Sequence, residues 1–155
     1  MNKEEIYQTI SDFVDLIENG RGSVEENEKS LSLLLDKLAL ASHFVNDSKG
    51  QSADLKIPQI DSTKLREIVS NRFPKYGYYN SPNDVTSKIT ETEITVGDAI
   101  DDILDITMEL KTVLFYWDNS SSENALFQYQ NGFNNHWALH LRELQLYILA
   151  NKSAA

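Results

Sequence analysis

The chain has 155 residues, 24 acidic against 14 basic side chains for a formal charge of -10, 41% hydrophobic residues and no cysteine. That length and composition fit one compact acidic domain spanning 1–155, large enough to bury roughly 68 to 70% of its unfolded surface without a disulfide or a structural metal. The charge argues against nucleic acid and anionic membranes, whose binding draws on lysine and arginine releasing counterions, and the missing cysteine excludes a disulfide framework and thiol catalysis.

Met1-Asn2-Lys3-Glu4-Glu5 opens the chain with acids where a signal peptide needs positive charge, and no run approaches the roughly 18 apolar residues of a membrane span. The cytoplasm is the expected compartment. Ile6, Ile10, Phe13, Val14 and Ile17 then keep the three-and-four spacing of a first helix, broken by Asn19-Gly20-Arg21-Gly22. Ser23 and Glu26 have capping-box spacing for a second helix, whose apolar face runs through Leu31, Leu34, Leu35, Leu38 and Ala41 to Phe44 or Val45. Asn46 to Ser52 reads as a polar loop. Asp61 caps a short third helix carrying Leu65, Ile68, Val69 and Phe73, which Pro74 terminates because the residue before proline avoids helical geometry.

Phe73, Tyr76, Tyr78 and Tyr79 mark an aromatic, turn-rich segment that is too poor in charge for a disordered linker. It is expected to pack on the helices as a loop, and it is a candidate binding loop. Val85 to Thr95 alternates polar and β-branched residues, as an extended edge or short strand does. Val96 to Trp117 predicts a fourth helix, with Thr95 or Asp98 at its positive end, and Asp118-Asn119-Ser120 stops it. Ser121 or Ser122 caps a long fifth helix from about Glu123 to Ala150. The expected fold is therefore an all-α, single-domain up-down bundle of about five helices, with the aromatic loop between helices three and four.

The excess charge concentrates on the fourth helix. Between Glu91 and Leu110 stand seven acids and no lysine or arginine, and Asp98, Asp101, Asp102, Asp105 and Glu109 fall inside an arc of about 100° on a helical wheel. Like charges at this spacing repel, so the strip invites explanation. Asp98, Asp101, Asp102 and Asp105 present the hard oxygens with which Mg²⁺ or Mn²⁺ bridges to a substrate phosphate. The same strip could dock a basic partner, or be a solvated outer face.

His136 and His140 stand one turn apart on the fifth helix, the spacing by which one helix gives two ligands to a metal. Trp137 occupies the place where the helical metalloprotease motif needs a glutamate, which argues against that class. Tyr129, Phe133, Trp137, Leu144 and Tyr147 share the side of the wheel around both imidazoles, so the histidines are expected to point inward. They either join carboxylates of helix four in a mixed metal site or pair with Asp101, Asp102 or Glu143 to hold helices together. His43 on helix two is a weaker candidate. No Gly-x-Ser-x-Gly elbow or phosphate-binding glycine loop is present.

Three blocks in order resemble a bacterial family of helical proteins classed as a domain of unknown function. They are Arg72-Phe73-Pro74-x-Tyr76-Gly77-x-Tyr79-Asn80, Val96-Gly97-Asp98-Ala99-Ile100-Asp101-Asp102-Ile103-Leu104-Asp105-Ile106, and Phe133-x-x-His136-Trp137-x-x-His140-Leu141-Arg142. The resemblance runs nearly full length. It implies a helical domain, no particular reaction, and one signature containing Asp101, Asp102, Asp105, His136 and His140.

The leading expectation is a protein-binding or regulatory module that uses the acidic face, because complementary charge raises association rate and selectivity without any nucleophile. The alternative is a divalent-metal-dependent hydrolase of a phosphorylated small molecule or nucleotide, with the aspartates on Mg²⁺ or Mn²⁺ and His136 or His140 as base or further ligand. A third reading makes both stripes structural. A monomer and a homodimer fit equally well.

Overall fold

The computed structural model describes residues 1–45 and 49–153. Its elements are α1 (Lys3–Asn19), α2 (Val24–Ala41), α3 (Ser62–Arg72), β1 (Tyr78–Pro82), β2 (Ile94–Asp98), α4 (Ala99–Asn119), α5 (Ser122–Gly132), a π-helical turn (Phe133–Trp137) and α6 (Ala138–Ser153). The chain is mostly helical. Part of the expected 46–52 loop, residues 46–48, lies outside the described residues.

Caps set the helix starts. Asn2 and Glu5 form a reciprocal capping box at α1, with Glu5 N donating to Asn2 Oδ1 at 2.9 Å and Asn2 N to Glu5 Oε2 at 2.8 Å. Ser23, Asp61, Asp98 and Ser121 cap α2, α3, α4 and α5. The far end of α1 is closed from elsewhere: Arg72 donates to the carbonyls of Ile17 (3.3 Å) and Glu18 (3.1 Å), placing a guanidinium at the negative end of the helix.

Helix α4 is the hub. It packs on α1, α3, α5 and α6, while α2 lies against α1 and α6. The core between them includes Ile6, Ile10, Phe13 and Ile17 of α1, Leu31, Leu35 and Leu38 of α2, and Ile103, Ile106, Leu110 and Val113 of α4. Those of α1 and α2 are the residues that the three-and-four spacing picks out. Tyr129 lies fully buried among them, its hydroxyl donating to the Leu38 carbonyl at 2.7 Å. No helix among the described residues is long and apolar enough to cross a membrane.

Two expectations need correction. The all-α reading misses a small antiparallel sheet, in which β1 pairs with β2 from Tyr78↔Asp98 to Pro82↔Ile94. Half of the aromatic segment is thus a strand. The extended stretch expected at 85–95 is a strand only at its end, because Asp84 accepts from the backbone N–H groups of Thr86 and Ser87 and turns the chain there. Second, helix five is not uniform: α5 and α6 are joined through the π turn at Phe133–Trp137. Gly132, Asn134 and Asn135 are weak helix formers at that place, so a departure from regular winding costs little there.

Candidate functional site

At the start of α4, Asp98 caps the helix through Ile100 N (3.0 Å), and its other oxygen receives Arg66 Nη2 at 2.6 Å. The same guanidinium reaches Asp101 Oδ1 at 2.7 Å. One arginine from α3 therefore holds two of the four candidate aspartates.

One helical turn further, Asp102 is only 4% exposed. Its Oδ1 lies 2.8 Å from His140 Nδ1, and its Oδ2 accepts the Tyr79 hydroxyl at 2.5 Å. The hairpin delivers that hydroxyl. Tyr79 sits opposite Gly97, where a Cβ would stand 2.3 Å from the tyrosine ring, so glycine lets the ring lie flat across the strand pair. Burial, then the hydrogen bond to Asp102, pushes the Tyr79 hydroxyl far above the ordinary phenol range and keeps it a donor. Glu143 Oε2 stands 3.3 Å from the same hydroxyl and is itself held by Ser81.

Asp105 follows, its Oδ2 3.5 Å from His140 Nε2. Glu109 comes four residues later and lies 2.8 Å from His136 Nδ1. It reaches that place over Gly132, where a Cβ would come within 2.6 Å of Glu109 Oε2. Thus His136 is not turned into the core. Its side chain is 47% exposed and that of His140 30%, while Trp137 between them is fully buried. The two imidazoles stand edge to face with centroids 5.2 Å apart. One ligand atom each from Asp105, His136 and His140 lies within 4.8 Å of the others.

Among the sequence candidates, Asp102, Asp105, His136, His140 and Tyr79 are thus brought together, and Asp98 and Asp101 are drawn off by Arg66. The remaining aromatics are divided. Phe73 is buried and stacks on Tyr76 with centroids 5.4 Å apart, Tyr76 meets Tyr147 edge-on, and Tyr78 is 74% exposed on the other side of the hairpin. His43 lies on the exposed turn after α2. Sequence reasoning did not pair Glu109 with His136; the signal was its position four residues beyond Asp105 on the same face. A cavity of about 310 Å³ opens beside Asp105, Glu109 and His136.

The hydrogen bond to Asp102 raises the His140 pKa above its ordinary value against the opposing effect of burial, helped by the charges of Asp102, Asp105 and Glu143. Asp105 is raised mainly by burial, with the His140 charge opposing. A raised imidazole contributes its full stability below the unfolded value of about 6.5 and loses it as pH rises through the folded value. The metal-free chain should therefore have a lower urea midpoint at pH 8.5 than at pH 6. In Asp102→Asn that difference should shrink; an undiminished difference would assign the pH dependence to other groups.

A hairpin and two helices that converge carboxylates and imidazoles beside a cavity define a mostly helical protein with a histidine–carboxylate centre. The chain belongs to the DUF5063 family: the family model, described as a domain of unknown function, matches residues 1–148. No curated protein and no solved structure matches the chain.

Proposed function

We propose that this protein is metal-dependent, holding one divalent transition-metal ion between Asp105, His136 and His140 and using the positions left open for chemistry on a small molecule. The arrangement of the two imidazoles carries this reading. Each has its Nδ1 against a separate carboxylate, Asp102 for His140 and Glu109 for His136, which leaves Nε2 as the metal-binding atom of each ring. Carboxylates behind ligating histidines fix ring orientation and raise ligand basicity. A purely structural ion pair would need only one such contact.

Two histidines and one carboxylate form the three-ligand set of catalytic zinc sites and of non-haem iron sites, both of which keep positions for water or substrate. Ligand atoms on tetrahedral zinc stand about 3.3 Å apart, so atoms within 4.8 Å of one another need only small side-chain rotations to close on an ion. Imidazole donors suit zinc, iron or nickel better than magnesium. The all-aspartate magnesium set loses support because Asp98 and Asp101 are bound to Arg66. Docking of a basic partner loses support for a related reason: all five carboxylates of the strip already have a partner within the chain.

Thermal unfolding of metal-stripped protein tests the proposal. Ion at a hundredfold excess over its dissociation constant stabilises the native state by about 2.7 kcal/mol, a rise of roughly 5 to 11 °C for a chain of this size. Zn²⁺ or Ni²⁺ should produce it, and His136→Ala and His140→Ala should abolish it. Either no shift with any ion, or a shift that survives in both variants, would remove the reading.

A further inference from the structure

The cavity beside the histidine–carboxylate centre has a composition that selects among substrates. Its polar end is formed by Asp105, Glu109 and His136, and among the described residues no lysine or arginine lines it. Ile57, Pro58 and Ile60, from the segment before α3, and Met108 of α4 supply apolar walls. Gln128 of α5 also lines the cavity, and among the described residues its amide makes no hydrogen bond to protein. Lys111, on the same helix as Met108, is paired with Glu18 and does not line this cavity.

We infer that the cavity takes an uncharged small molecule, its carbonyl or related polar group toward Asp105 and His136 and its apolar body against Ile57, Pro58, Ile60 and Met108. This rests on the metal reading for the polar end. A dianionic phosphate would enter a space with two carboxylates and, among the described residues, no lysine or arginine, so charge repulsion opposes it even with a divalent ion present. A neutral group meets no such penalty and can use both the ion and the free amide of Gln128. The volume, about 310 Å³, lies at the small end of ligand sites, and apolar walls with a few convergent polar groups are the usual make-up of such sites.

The experiment uses full-length protein loaded with Co²⁺, whose visible spectrum reports ligands at the ion. Three probes are titrated: acetamide, hexanamide, which adds four methylenes to the same uncharged carbonyl head, and hexyl phosphate, which has a similar tail and an anionic head. Hexanamide should bind at least tenfold tighter than acetamide and at least tenfold tighter than hexyl phosphate. Gln128→Ala should weaken hexanamide by about three- to tenfold while the spectrum without probe stays unchanged, as expected for loss of one hydrogen bond. Equal affinity for the two amides, or tighter binding of hexyl phosphate, overturns this inference and leaves the metal site standing. A cobalt spectrum that never forms at His136 and His140 overturns both.

Discussion

Asp102→Ala is expected to lower the stability of the metal-free chain by about 3 kcal/mol, measured as the free energy of urea unfolding at pH 6. Asp102 accepts from Tyr79 with one oxygen and faces His140 with the other, and it is almost completely enclosed. Removing one member of a buried pair costs about 3 to 5 kcal/mol, because the charge left behind has lost both its partner and its water. The low end applies because His140, with 30% of its side chain exposed, can release its proton. Asp102→Asn should cost less, since an amide oxygen still accepts from one neighbour. The pair can be isolated by a double-mutant cycle with His140→Ala, in which groups in direct contact couple by about 0.5 to 3 kcal/mol. A loss below about 1 kcal/mol for Asp102→Ala, with no coupling to His140, would mean that the pair does not organise the centre.

That centre was only partly legible from the sequence, and the reason is geometric. Spacing along one helix told which residues share a face, so Asp102, Asp105 and Glu109, and separately His136 and His140, could be grouped. Spacing cannot tell which groups on another element meet that face. Arg66 is an unremarkable residue of a short helix in sequence, yet it takes up Asp98 and Asp101 and divides the acidic strip in two. Tyr79 reaches Asp102 only because β1 pairs with β2 across an eleven-residue connection, counted from Asn83 to Glu93. The helices were easier: Ser23, Asp61 and Asp98 carry their capping signals locally, and the α1 face at Ile6, Ile10, Phe13 and Ile17 is set by the 3.6-residue period alone. The inward expectation fails for His136, where the winding changes, and holds for His140, which meets the buried Asp102. A wheel drawn at constant pitch through Phe133–Trp137 ignores the π turn, and it groups His136 with Trp137 although one is half exposed and the other buried.

The π turn also gives Trp137 a double role, and Trp137→Ala should lower stability by about 3 to 5 kcal/mol, the range for removing a large buried aromatic. The indole is fully buried and stands edge-on to Tyr129, with centroids 5.0 Å apart, and to Phe133 at 4.8 Å. Its position between His136 and His140 means that it anchors the segment carrying both imidazoles, so the alanine variant should also lose the metal-dependent rise in melting temperature. Stability loss alone could produce that result, and Trp137→Phe separates the two effects. Indole Nε1 has no hydrogen-bond partner among the described residues, so replacing it by a phenyl ring removes an unsatisfied buried donor while leaving a smaller void than alanine does. The phenylalanine variant should lose less than about 2 kcal/mol and retain the metal response, because a ring still packs on Tyr129 and Phe133 and fixes the turn. If the phenylalanine variant is stable but no longer responds to metal, the indole itself, rather than the packing of the turn, orients the histidines.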